Sequence, residues 1–277
     1  MNERIGMIAQ LPAEGPILNY VADFGLKCCQ LCSFDPDVFT DERADAVKRE
    51  SMATGICVTS FWAGWPGPAV WDFVDGPRTL GIVPREYREV REAGLKRAGE
   101  FAKRAGLPAI VTHLGFIPEN AGDPEFDAVV ASVHRVAAFV RDLGVEFWFE
   151  TGQETPVTML RLIERVETGN LGINLDPANL ILYGKGNPID ALDVFQRYVR
   201  GIHAKDGLYP TDPMKLGTEV KVGTGRVRFP EFVRRLEGKG FDGAYIIERE
   251  ISGAEQRADI AETATYLEDL LERAASA

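Results

Sequence analysis

Short apolar runs recur eight times along the chain, at 5–11, 27–33, 55–62, 108–116, 145–150, 171–176, 200–206 and 243–250. They are rich in Ile, Val, Phe and Cys and carry no helical period, the pattern of strands buried on both faces. The stretches between them are spaced differently. Phe126, Val130, Val133, Ala137 and Val140 repeat every three or four residues and mark one face of a helix. Over 85–106, Val90, Ala98, Phe101 and Ala105 read as the inner face, with Arg and Glu crowding a solvated outer one. Gly25, Gly106 and Gly144 stand just before the next apolar run, where a helix C-terminal glycine belongs.

Strand and helix therefore alternate through eight units in 277 residues, roughly 35 residues each. That repeat predicts an α/β chain with parallel strands closed as a single-domain (β/α)₈ barrel spanning 1–277. An open doubly wound sheet would want a glycine-rich turn after the first run, and Ala9-Gln10-Leu11-Pro12 is not one. The string Gly238, Gly240, Gly243 has dinucleotide-loop spacing, but it follows a helix and precedes a strand, the reverse of that context.

Composition narrows the function. The chain is 45% hydrophobic and 26% charged, an ordinary globular mixture, and its net charge of −11 argues against a nucleic-acid partner. No apolar run approaches the ~18 residues of a membrane span, and the N-terminal stretch lacks the apolar core of a signal peptide. Cys28, Cys29, Cys32 and Cys57 crowd into the first fifth of the chain, which reads as reduced, buried thiols in a cytoplasmic protein.

Barrel enzymes carry their chemistry at the C-terminal ends of the strands. Here four consecutive runs end in metal-competent side chains: Glu150, Asp176, His203 and Glu248, with Glu250 a second candidate in the last. Adjacent strand ends lie ~5 Å apart, so these groups would repel one another without a cation. Oxygen-rich coordination with one nitrogen suits Mn²⁺, Co²⁺, Mg²⁺ or Zn²⁺. Taken singly, each has a plainer reading: Asp176 before Pro177 as a helix cap, Glu150 and Glu154 as first-turn acids, His203 as a core histidine. His113, ending the fourth run, points to the same rim, whereas His134 falls mid-helix. Trp62, Trp65, Trp71 and Phe73 fill a long loop after the third run, suited to covering a sugar or to fixing the loop on the barrel. A second long loop, 207–227, carries Lys215, Lys221 and Arg226.

The strings FETGQETP, NLDPANL, IHAKDG, VGTG and IIERE resemble the sugar-phosphate isomerase/epimerase family, the xylose-isomerase-like barrels that include ketose 3-epimerases, inosose dehydratases and endonuclease IV. The resemblance implies one divalent metal held by Glu150, Asp176, His203 and Glu248. It also implies proton transfer beside a carbonyl, with Glu150 and Glu248 as opposed catalytic acid–base groups working through an enediolate. His113, Trp62, Glu154, Asn179, Lys205 and Asp206 are then the residues expected around a small sugar substrate. A lyase acting on a cyclic keto-sugar or keto-inositol uses the same enolate chemistry and is the alternative. The nuclease branch needs extra histidines, but the chain has three in all, and Asn179 stands where that branch has one. A homodimer or homotetramer is compatible with the outer helices, without an interface signature.

Overall fold

The computed structural model describes residues 2–276. Ten strands run in chain order as β1 (Ile5–Gln10), β2 (Cys28–Ser33), β3 (Cys57–Ala63), β4 (Ala109–Thr112), β5 (Glu146–Glu150), β6 (Leu171–Leu175), β7 (Val199–Ala204), β8 (Asp206–Leu208), β9 (Thr218–Val220) and β10 (Ala244–Ile247). Ten helices accompany them: α1 (Asn19–Asp23), α2 (Asp41–Thr54), α3 (Gly76–Thr79), α4 (Arg88–Ala105) and α5 (Pro124–Asp142), then α6 (Pro156–Val166), α7 (Pro177–Leu182), α8 (Pro188–Phe195), α9 (Phe229–Glu237) and α10 (Ala254–Ala275). Eight of the strands close a barrel in the order β1-β10-β7-β6-β5-β4-β3-β2, every neighbour parallel. This is the (β/α)₈ or TIM barrel that the eightfold alternation predicts. The antiparallel pair β8–β9 sits apart from it, inside the loop after β7.

Strand alternation sorts side chains into two layers. Phe147 and Phe149 face outward, edge to face at 4.9 Å, in the larger core beneath the helices. Trp148 packs with Cys32, Trp62, Ala109 and Val111 in the smaller core of the barrel interior. Room for Trp148 comes from Gly172 on the next strand, where a Cβ would lie 2.5 Å from the indole. The inward parity continues upward to Glu150, Asn174 and His203, and cross-strand pairing sets Glu150 beside Asn174 and His203 beside Ile246.

Several loops hand over to helices by one device. Asp123, Thr155, Asp176 and Asn187 each cap a helix N-terminus through a side-chain oxygen, and proline follows at the first helical position. Gly55 and Gly106 end α2 and α4 in the left-handed conformation. Three sequence expectations need correction. Val90 is exposed on α4, whereas Ala98, Phe101 and Ala105 are buried as expected and Arg91 and Glu92 join them on the inner face. Cys57 is exposed, while Cys28, Cys29 and Cys32 are buried, and all four are free thiols. Glu150 ends β5 and Glu154 lies before the cap of α6, so neither is a first-turn acid. No helix among the described residues is long and apolar enough to cross a membrane.

Candidate metal centre and the cavity above it

Four strand ends deliver Glu150, Asp176, His203 and Glu248 to one spot, where one potential ligand atom from each lies within 4.8 Å of all the others. Metal–ligand distances of ~2.0–2.3 Å produce a sphere of about that width. Glu150, Asp176 and His203 are buried, and Glu248 borders the cavity. Glu250, two residues on, has its side chain 54% exposed and pairs with Lys205 at 2.7 Å. Glu248 therefore joins the cluster and Glu250 does not.

Each cluster member is oriented by neighbours. Asp176 divides its carboxylate: Oδ1 accepts the Asn179 backbone N–H at 2.9 Å as the cap of α7, and Oδ2 has no hydrogen-bond partner. The Nε2 of His203 lies 2.8 Å from Gln30 Oε1. The Gln30 amide nitrogen donates to Ser60 Oγ at 2.9 Å and Asn174 Oδ1 at 3.3 Å. That fixes the Gln30 carbonyl toward the imidazole, so Nε2 donates to it and Nδ1 is the nitrogen left facing the carboxylates, available as a lone pair when the ring is neutral. Nδ1 lies 2.9 Å from Glu248 Oε2 and 3.2 Å from Glu150 Oε1, without hydrogen-bond alignment to either. Glu150 accepts from the Trp62 indole N–H through Oε2 and from Asn179 Nδ2 at 3.2 Å through Oε1. Gln30, Ser60 and Asn174 were not singled out in the sequence. The available signal was an amide in the middle of CCQLCS, a fully buried strand where a polar group needs a partner.

Charge completes the picture. Burial alone would lift the Glu150 carboxyl, but His113 and His203 hold it well below the ordinary carboxylate range. Burial would likewise depress both imidazoles, and Glu150 reverses this, raising His203 well above its usual value and His113 to a lesser degree. His113 Nε2 sits 3.3 Å from Glu150 Oε1, and its Nδ1 is unpartnered. Lys205 is buried 3.5 Å from both Asp176 Oδ2 and Glu248 Oε2, with Asn179 Oδ1 at 3.3 Å. These anions hold its ammonium well above the usual lysine value against the opposing pull of burial. With the imidazoles neutral, the form in which His203 can ligate a metal, the Lys205 ammonium alone does not balance Glu150, Asp176 and Glu248. Three of the four inward atoms, Asp176 Oδ2, His203 Nδ1 and Glu248 Oε2, are buried without hydrogen-bond partners. They lie within ion-pair distance but without aligned hydrogen bonds to one another, and oxygen, oxygen, nitrogen and oxygen around a point is a donor set that fits a divalent cation.

Above the cluster opens a cavity of about 890 Å³. Of the residues expected around a substrate, Trp62, His113, Asn179 and Lys205 line it, and Asp206 and Glu154 do not. The Asp206 carboxylate accepts four backbone N–H groups, from Gly207, Gly223, Gly225 and Val227, and so braces the loop after β7. Glu154 is buried behind the wall, accepting from Gly152 N at 3.3 Å, and burial pushes its carboxyl up to about 7. The aromatic loop divides its labour. Trp65 packs against buried Arg91, whose guanidinium donates to the Pro66, Pro68 and Gly81 carbonyls, while Trp71 and Trp62, the latter on β3 and not in the loop as expected, face the cavity. His134 faces solvent on α5.

A closed parallel barrel with a buried carboxylate–imidazole cluster at its C-terminal rim defines a barrel with a candidate metal centre. The chain belongs to the xylose isomerase-like TIM barrel family, whose pattern it matches over residues 18–270. It superposes on the crystal structure of a xylose isomerase domain protein from Planctomyces limnophilus with a TM-score of 0.93 and 36% identity, over 99% of both chains. A D-tagatose 3-epimerase-like protein aligns over 98% of both chains with a TM-score of 0.75 at 19% identity, a likeness of fold. An uncharacterized protein of Methanocaldococcus jannaschii is 27% identical over 167 residues, 56% of this chain. The chain spans about half the length of that curated relative, 55% of it.

Proposed function

We propose that this protein is a divalent-metal-dependent isomerase or epimerase of a keto-sugar, moving a proton beside the carbonyl with Glu150 and Glu248 as the opposed acid–base pair. The observation that carries the reading is the convergence of four ligand-competent side chains, three with buried atoms that make no hydrogen bond, beneath a cavity large enough to hold a sugar. Glu150, Asp176, His203 and Glu248 would hold the cation, which would bind adjacent substrate oxygens and stabilise the enediolate formed as the α-proton leaves.

The chain's own residues supply the rest. Glu150 is kept ionised by the two imidazoles, the form in which a carboxylate can act as a base. The Trp62 indole and the Asn179 amide fix its carboxylate in place, so that little reorganisation is needed when charge moves. Glu248 lines the cavity with Oε2 2.9 Å from His203 Nδ1, and in this reading it returns a proton to the opposite face. Inversion needs two such groups; a single one gives exchange or aldose–ketose conversion only. Lys205 holds Glu248 and Asp176 from behind and lines the cavity within reach of a substrate hydroxyl.

The test is solvent exchange. Mg²⁺- or Mn²⁺-loaded protein in deuterated water, offered a panel of ketoses, should incorporate deuterium at the carbon beside the carbonyl. Glu150→Gln and Glu248→Gln should each slow that exchange by about 10²–10⁴-fold with an unchanged circular dichroism spectrum. Wild-type exchange rates in both variants would remove the two-carboxylate mechanism.

A further inference from the structure

We infer that the substrate is an unphosphorylated sugar carrying an apolar substituent, an inference that rests on the keto-sugar reading and narrows it. The first ground is charge. Among the described residues lining the cavity, the only fixed cations are Lys205 and Arg249. Lys205 is held by Glu250, Asp176 and Glu248. Arg249 is held at 2.8 Å by Glu219 and at 2.8 Å by Asp259. Arg257 lies outside the wall with its guanidinium over the Tyr20 and Phe24 rings. Beyond the metal floor, a phosphate dianion would meet Glu250 on the wall with no unpaired lysine or arginine among the described lining residues to receive it.

The second ground is the backbone. Barrels commonly seat a substrate phosphate on amide N–H groups of the loops after the seventh and eighth barrel strands. In the loop after β7, the glycine-rich segment 222–225 offers such amides, but the N–H groups of Gly223, Gly225 and Val227 already point at the Asp206 carboxylate. After β10, the Glu250 N–H donates to the Glu219 carboxylate. In both loops these particular amides thus already have the chain's own acids as acceptors. Of the basic residues in the loop after β7, Lys215 pairs with Asp212, Lys221 pairs with Glu262 and Asp259, and Arg226 is exposed without an ion pair among the described residues; none of the three lines the cavity.

The third ground is size and polarity. At about 890 Å³ the cavity lies near the top of the ~300–1,000 Å³ range that encloses drug-sized ligands, more than a monosaccharide on the metal floor would fill. Its lining includes Ile17, Tyr20, Phe34, Trp71, Leu216 and Ile260, with Asn19 and Gln256 among them. Phe34, Trp71 and Tyr20 remain 53%, 38% and 37% exposed, which leaves aromatic faces open around the mouth, a surface that seeks an apolar partner. Hydroxyls then go to the carboxylate–imidazole floor and an apolar group to the rim.

The inference is tested by calorimetric titration of the Mg²⁺-loaded protein with five compounds: D-fructose, its 1- and 6-phosphates, and its 1-O- and 6-O-benzyl ethers. The expected result is that both phosphates bind more weakly than fructose and at least one ether binds about tenfold more tightly. A phosphate that binds as tightly as fructose overturns the inference, and so does failure of both ethers to gain. Deuterium exchange on the same five compounds reads the reaction separately. The expected binding order without exchange sinks the proposed chemistry and leaves the substrate class standing. Exchange confined to a phosphorylated ketose does the reverse.

Discussion

Asp176 shows how one side chain can satisfy two readings. Its position before Pro177 marks a helix cap, and Oδ1 is one; its position after an apolar run marks a ligand, and Oδ2 is free to be one. The sequence could not apportion the two oxygens, because both roles ask for the same residue type at the same place. Gln30 is the opposite case. It sits 173 residues from His203 and decides which imidazole nitrogen faces the carboxylates, and nothing in local spacing connects them. Gln30→Leu should remove the acceptor that fixes the tautomer and weaken metal binding by about 10–100-fold, read by competition with a fluorescent chelator. Unchanged affinity would show that the Gln30 contact does not govern the ligand. Glu154 carries a pH signature. Burial raises its folded value to about 7 from 4.5, so between those limits the folded chain binds more protons than the unfolded one. Stability from this group is therefore present at low pH and lost as pH rises through 7. In metal-free protein, Glu154→Gln should gain on wild type between pH 5 and pH 8 by on the order of 1–3 kcal/mol, measured by urea denaturation. A gap that stays constant with pH would contradict the buried-carboxyl assignment.

At the scale of elements, the strands were legible because both faces of a parallel barrel strand are buried, leaving near-continuous apolar runs. Helix α4 was less so. Val90 looks like an inner residue, yet Arg91 is the buried one, since three carbonyls of the aromatic loop and the rings of Trp65 and Tyr87 receive its guanidinium. A pattern of hydrophobic positions cannot anticipate a buried cation whose partners come from a loop. The β8–β9 hairpin was missed for a related reason. Its six residues include Asp206, Gly207 and Glu219 and are ordered less by apolar burial than by the Asp206 carboxylate gathering four backbone N–H groups. Asp206→Ala should leave those donors without an acceptor and destabilise the fold by on the order of 3 kcal/mol, seen as a lower urea midpoint. A loss under about 0.5 kcal/mol, the scale of an ordinary surface substitution, would mean that the loop stands without it.

The whole molecule follows from eight repeats closing on themselves, which converts four strand ends scattered over 99 residues, from Glu150 to Glu248, into one cluster within 4.8 Å. Closure was predictable from the count of units, and with it the neighbourhood of the four side chains. The shape and polarity of the cavity were not, because its wall is drawn from loops after nearly every strand. The central claim is that the cluster holds one divalent ion. Elemental analysis after reconstitution with Mn²⁺ and gel filtration, on wild type beside His203→Ala, tests it most directly. One ion per chain in wild type and close to none in the variant is the predicted result. No bound metal in wild type, or the same content in both proteins, would mean that Glu150, Asp176, His203 and Glu248 meet for structural reasons alone.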